Sequence, residues 1–220
     1  MKIATSLTLL VFLALSSCNN SKRLPVLGIK TAITKTENGK EVTDSLDYTI
    51  PQFSFLDQDG NVVDSTVLKN KIFVAEFFFT SCPSICPKMQ AQMLRVNEKY
   101  KSDSNVLILA YTIDPARDTV AKLHEYAQKL GVESSKWHFL TGNKDSIYSL
   151  ATSYLVSAAE DPDAPGGHIH SGNFILVDMQ RRIRGYYDGT NEKGVEKLLG
   201  DIDILQKEEN NENLQTTSIK

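Results

Sequence analysis

Between residues 50 and 205 the apolar positions fall in blocks whose spacing switches between that of a strand and that of a helix. Phe53, Phe55 and Leu56, followed by the turn sequence Gln58-Asp59-Gly60-Asn61, predict an opening hairpin. The run KIFVAEFFF (71–79) is continuously apolar except for Glu76, as expected of a strand covered on both faces. Met89, Met93, Val96 and Tyr100 then recur at helical spacing over 88–100, and NVLILAYTID (105–114) predicts a second buried strand, so this stretch reads as a βαβ unit. A helix over 117–130 turns Val120, Leu123, Ala127 and Leu130 inward, and a short WHFL strand and a helix near 144–155 follow. NFILVD (173–178) and RIRGYY (182–187) predict a β-hairpin, and 191–206 a closing helix. Strands and helices that alternate in this way define an α/β domain with a central sheet flanked by helices.

The flanks differ from this body. Lys2 and the thirteen-residue apolar run from Ile3 to Leu15, ending in Ser16, Ser17 and Cys18, have the form of a secretory signal peptide. That run is shorter than the about 20 residues a spanning helix needs, and no later segment is apolar enough to cross a bilayer, so the body is expected to be exported. Leu15-Ser16-Ser17-Cys18 resembles a bacterial lipobox. Residues 1–17 are then the signal peptide and Cys18 the lipidated first residue, anchoring the chain to a bacterial membrane in the cell envelope, facing the periplasm. Residues 18–45 are polar and aperiodic and predict a tether, part of which is able to pair as an edge strand; 46–206 form the domain, and 207–220 predict a disordered tail.

With Cys18 lipidated, the three cysteines reduce to one pair, Cys82 and Cys86. A body of this length buries a core without disulfides. The chain carries 24 Lys and Arg against 27 Asp and Glu, a formal charge of −3, which points away from a nucleic-acid partner.

The segment FTSCPSICPKM joins a buried strand to a helix, where open α/β sheets place their ligand crevice. Pro83 keeps Cys82 extended, and Pro87 at the first helical position makes Cys86 the expected N-cap. Both thiols then face unpaired amides and the positive end of a helix, which favours the thiolates that bind metal or attack a disulfide. Soft sulfur ligands suit Cu(I), zinc or iron–sulfur clusters, but one pair cannot supply four sulfurs, so a further ligand has to come from elsewhere. GGHIHSGNFILVD offers His168 and His170, which share one side of an extended segment, with Ile169 on the other. Spacing alone does not choose between them. His124 and His138, far from the cysteines in sequence, read as structural or exposed, and Glu160, Asp161 and Asp163 as solvated loop charge.

FFFTSCPSICPKM resembles the Sco/SenC signature C-P-x-x-C-P after a Phe-rich strand. YTIDPARDT (111–119) and HSGNFILVD (170–178) are similar, in order and spacing, to that family's S-x-D-P-x-R-D-T and D-H-S-x-x-x-x-L-V-D segments. The resemblance covers about residues 50–205. It implies a thioredoxin-like fold with an added N-terminal β-hairpin, and copper, as Cu(I) or Cu(II), bound by Cys82, Cys86 and His170. His170 follows from register, eight residues before Asp178. Ile169 stands where an aspartate often precedes the histidine, and His168 is extra; a solvated position is expected for it, with a further or transient ligand as the alternative. The second block's Asp114, Arg117 and Asp118 are read as a strand end and helix start, not as catalytic groups. The resemblance implies a metallochaperone for the binuclear copper site of cytochrome c oxidase subunit II, or another envelope copper protein, with Cys82 and Cys86 also a redox pair and Cys82 the more exposed, attacking thiolate. The alternatives are a membrane-anchored thiol-disulfide oxidoreductase, a reductase or peroxidase independent of copper and of His170; a copper sensor or sink; and zinc in the same three-ligand site.

Overall fold

A seven-residue strand with no polar interruption but one glutamate lies at the centre of the molecule, and the computed structural model, which describes residues 23–218, builds the rest around it. In chain order the elements are β1 (Thr31–Glu37), β2 (Lys40–Leu46), β3 (Ser54–Leu56), β4 (Val62–Asp64), β5 (Ile72–Phe78), α1 (Cys86–Tyr100), β6 (Val106–Thr112), α2 (Val120–Leu130), β7 (Trp137–Leu140), α3 (Lys144–Ser153), β8 (Ala158–Glu160), β9 (His168–His170), β10 (Asn173–Val177), β11 (Ile183–Asp188) and α4 (Glu192–Ser218). Five strands form the main sheet in the order β11-β10-β5-β6-β7. β5, β6 and β7 run parallel, as the α-helical crossovers between them require, whereas the short connection from β10 to β11 allows only an antiparallel pair. This is the mixed sheet of a thioredoxin-like fold, with the predicted hairpin as β3–β4 at its N-terminal side.

Every residue of β5 and β6 is buried, which explains why both read as apolar runs, Glu76 apart. Phe77, Tyr111 and Tyr154 pack against one another, and Phe78, Tyr126 and Phe139 form a second aromatic group. α4 packs on α1, β11 and β5. Thr119 and Asn143 cap α2 and α3 by accepting from backbone N–H groups in the first turn, and Gly131 closes α2 in the left-handed conformation (φ 69°).

Two boundaries need correction. The final helix does not stop near 206: α4 runs for 27 residues to Ser218, where a disordered tail was expected. Composition misled because Glu208 and Glu209 are buried, the Glu208 carboxylate accepting from Arg184 and from the backbone N–H of Leu24. For the same reason the domain begins before residue 46. Leu24 is buried, Arg184 donates to the carbonyls of Leu24 and Pro25, and Leu27 N–H bonds to Ile183 O at 2.8 Å, so this segment covers the edge of β11. Residues 31–46, placed mostly in the tether, pair only with each other, β1 with β2, and are largely exposed. Residues 1–17 and Cys18 lie outside the described residues.

Candidate metal centre

The loop between β5 and α1 emerges at the carboxyl end of the sheet, and its shape is fixed by an acid that sequence reasoning assigned to a helix start. Asp118, fully buried, accepts from Thr80 N–H, from Thr80 Oγ1 and from Thr112 Oγ1. It thus straps the residue two positions before Cys82 to the end of β6. Asp114 N–H is in turn held by Thr112 Oγ1 at 3.0 Å. A buried carboxylate needs several donors, and polar residues at both strand ends were the available signal.

Cys86 is the first residue of α1, not its N-cap: Ile85 holds that position, in the αR region and without a side-chain hydrogen bond, and Pro87 follows one place later. Cys82 and Cys86 are 8% and 1% exposed and no disulfide joins them. The two thiols differ. Burial raises the Cys82 pKa, but hydrogen bonds from the backbone at Ser84 and Cys86 and from the Cys86 and Ser84 side chains outweigh it and hold the thiol below its ordinary value. Burial dominates at Cys86 and pushes its pKa up, with the Cys82 and Glu76 charges adding to the effect. Of the two thiols expected to be acidified at the helix terminus, Cys82 is held down by its hydrogen bonds, whereas at Cys86 burial outweighs them.

The third group arrives from a satellite. β8 and β9 form a two-stranded sheet of their own, registered Ala158↔His170, Ala159↔Ile169 and Glu160↔His168, outside the five-stranded sheet. Its pleat turns His168 and His170 inward and Ile169, 47% exposed, outward, as the extended spacing predicted. His170 Nε2 lies 3.2 Å from Cys86 Sγ, and the ligand atoms of Cys82, Cys86 and His170 all fall within 4.8 Å of one another. His170 Nδ1 is 3.0 Å from the carbonyl oxygen of Ser171, which only accepts, so Nδ1 carries the proton and the Nε2 lone pair faces the sulfur. Burial depresses the His170 pKa, keeping the ring neutral at physiological pH. Two thiols and a neutral imidazole with a free lone pair are the donor set of a soft or borderline metal ion, and the residues present fit one. Among the described residues this is the one cluster of three such groups.

The other predicted residues sit elsewhere. His168 is not solvated: it is buried, its Nε2 3.6 Å from Asp114 Oδ2 and its Nδ1 3.4 Å from the Tyr148 hydroxyl. The ring of Phe79 packs on both histidines, with centroids at 5.1 Å from His168 and 5.8 Å from His170. Arg117 pairs with Asp114 on the surface side. His138 is buried against Asp57 and His124 is exposed beside Asp59, the structural and surface roles expected of them. Glu160 pairs with Lys144 in solvent.

Fold and site together define a thioredoxin-like protein in which the usual dithiol loop is joined by a histidine from an added hairpin. Residues 41–204 match the family model described as SCO1/SenC, and the chain belongs to that family. Among solved structures it is similar to a SCO1/SenC family lipoprotein from Bacillus anthracis str. Ames, with a TM-score of 0.66 and 27% identity over 72% of this chain and 95% of that one. It is also similar to BsSco, a member of the Sco family of cytochrome c oxidase assembly proteins in which a disulfide switch was identified (TM-score 0.64, 28% identity, 73% and 94% of the two chains). A third likeness is to Arabidopsis thaliana ScoI with copper bound, at a TM-score of 0.59 and 28% identity over 70% of this chain and 97% of that one.

Proposed function

We propose that this chain is a copper metallochaperone of the cell envelope, binding Cu(I) or Cu(II) through Cys82, Cys86 and His170 and delivering it to the binuclear copper site of cytochrome c oxidase subunit II or to another envelope copper protein. The observation that carries this reading is the convergence of two cysteine sulfurs and one free imidazole lone pair within 4.8 Å, on a scaffold whose relatives include a copper-bound one. Thiolates favour Cu(I), and the imidazole extends the set to Cu(II). Three ligands leave a side of the ion open to an acceptor's thiolates, so ligands exchange one at a time without release of a free ion. The reading includes lipidation at Cys18 and a position on a membrane facing the periplasm, supported by the lipobox-like Leu15-Ser16-Ser17-Cys18 and by the likeness to a lipoprotein.

The unequal thiols support a second activity, reduction of an acceptor's disulfide. The Cys82 thiolate attacks one acceptor sulfur, forming a mixed disulfide and releasing the other acceptor sulfur as a thiolate. Cys86, once it has given up its proton, attacks Cys82 Sγ, and the acceptor leaves with two electrons while Cys82 and Cys86 become a disulfide. Copper titration of the soluble domain separates the readings. His170→Ala is expected to abolish the thiolate-to-Cu(II) charge-transfer band and to leave disulfide reduction near normal. Unchanged Cu(II) affinity in that variant refutes the ligand assignment, and zinc binding without the band refutes copper.

A further inference from the structure

We propose that His168 is a positioning residue for His170: it latches the β8–β9 hairpin to the end of β6 and so holds the third ligand over the cysteines. The inference rests on the proposed metal site and explains how a residue on a detached hairpin keeps its place. No main-sheet ladder reaches β9; its backbone pairs only with β8. The approach to it, Gly166 and Gly167, has φ of +83° and +84° in a turn bonded only to its own loop, Gly167 N–H to Ala164 O and Asp161 N–H to Gly167 O. Beyond the two-residue link from His170 to β10, what keeps the hairpin in place is side chains, and His168, buried like His170, is the one that reaches the end of β6 and α3.

His168 is confined on three sides. Asp114, itself buried and fixed by Thr112, faces Nε2; the Tyr148 hydroxyl, which donates to Ile113 O at 3.0 Å, faces Nδ1; and Phe79 covers the ring. Arg117 meets Asp114 from outside, and Glu160, paired with Lys144, flanks the hairpin's outer strand. The period of a strand then does the rest. Residues two apart share a face, so fixing His168 against β6 fixes the side from which His170 enters and the depth it reaches. Phe79 packs on both rings, while the two His168 nitrogens face Asp114 and Tyr148 and lie outside the cluster of Cys82, Cys86 and His170, which assigns His168 to positioning and not to the metal.

The test compares His168→Val, His168→Gln, Tyr148→Phe and His170→Ala with the wild-type chain, read by two measurements. In the metal-free protein, His168→Val is expected to speed amide hydrogen exchange across residues 158–170 while β5 and β6 exchange as before. With metal, its Cu(II) affinity falls by about 10- to 100-fold, the usual cost of losing a group that orients a ligand, and its charge-transfer band shifts. Cu(I), which two thiolates hold without the imidazole, is bound nearly as in the wild type. His168→Gln, whose amide nitrogen occupies the place of Nε2, recovers most of the Cu(II) affinity. Tyr148→Phe shows the same pattern in milder form and carries the test if His168→Val fails to fold. Wild-type hairpin exchange and wild-type Cu(II) titration in His168→Val overturn the latch. A His170→Ala variant that binds Cu(II) normally overturns the site instead, and the exchange measurement still decides whether the hairpin is latched.

Discussion

Glu76 is the strongest handle on how the site's floor is built. It is fully buried in the middle of β5, one of its oxygens accepts from Gln90 Nε2 at 3.2 Å, and the other has no partner, nor does Gln90 Oε1. Burial raises its pKa from 4.5 to about 8, against a smaller opposing effect of the Gln90 bond. The sign follows from linkage. A carboxyl that titrates higher in the folded state gives that state more protons than the unfolded chain, so its contribution is fully favourable below the unfolded value and is lost as pH rises to the folded one. At about 1.4 kcal/mol per pH unit, folding loses on the order of 3 kcal/mol between about pH 5 and pH 7.5 through this one group. Glu76→Gln removes the titration. Its amide also donates to the unpaired Gln90 oxygen while its carbonyl keeps the existing bond. The variant is therefore expected to match the wild type near pH 5 and to exceed it by about 3 kcal/mol near pH 7.5, a rise of about 1–2 M in urea midpoint. His138 and His170, both depressed by burial, lower stability as pH falls, but they are present in both chains and cancel in the difference. The assay is urea unfolding of the reduced, metal-free domain across that range. A difference between the two proteins that does not change with pH refutes the buried-carboxyl account.

Two further outcomes follow from buried groups elsewhere in the structure. Alkylation of the reduced, metal-free protein should modify Cys82 first, with a pH midpoint below that of an ordinary thiol, and Cys86 slowly or only on unfolding; peptide mass mapping over time checks this, and equal rates refute the asymmetry. Glu208→Ala removes the acceptor for Arg184 and for Leu24 N–H and should cost about 2–3 kcal/mol in thermal or urea unfolding, whereas a disordered tail would show no change.

What the sequence made legible and what it did not divide along one physical line. Residues 71–79, 105–114 and 173–178 declare their burial through continuous apolar composition, and the Cys82–Cys86 loop sits where such strands meet a helix, so the scaffold and two of the three site groups follow from pattern alone. Groups that are buried by pairing carry no such signal. Glu208, Arg184, Asp118 and His168 are polar residues in polar stretches, and only the partners supplied by distant segments, Leu24, Thr80, Thr112 and Asp114, turn them inward. The same blindness made the end of α4, from residue 207 on, look like a tail and the 24–27 segment like a tether. At the site it has a functional consequence. Register against a known family selects His170, yet what holds His170 in place is contributed by β6 and α3, through Asp114 and Tyr148, and no local pattern around His168 shows it. Under the proposed function, the site has to hold its ion and still let it go. Carrying the third ligand on a hairpin held by side chains, and not by a ladder to the sheet, means that movement of that ligand breaks no main-sheet pairing, which is the property that the proposed ligand-by-ligand handover demands.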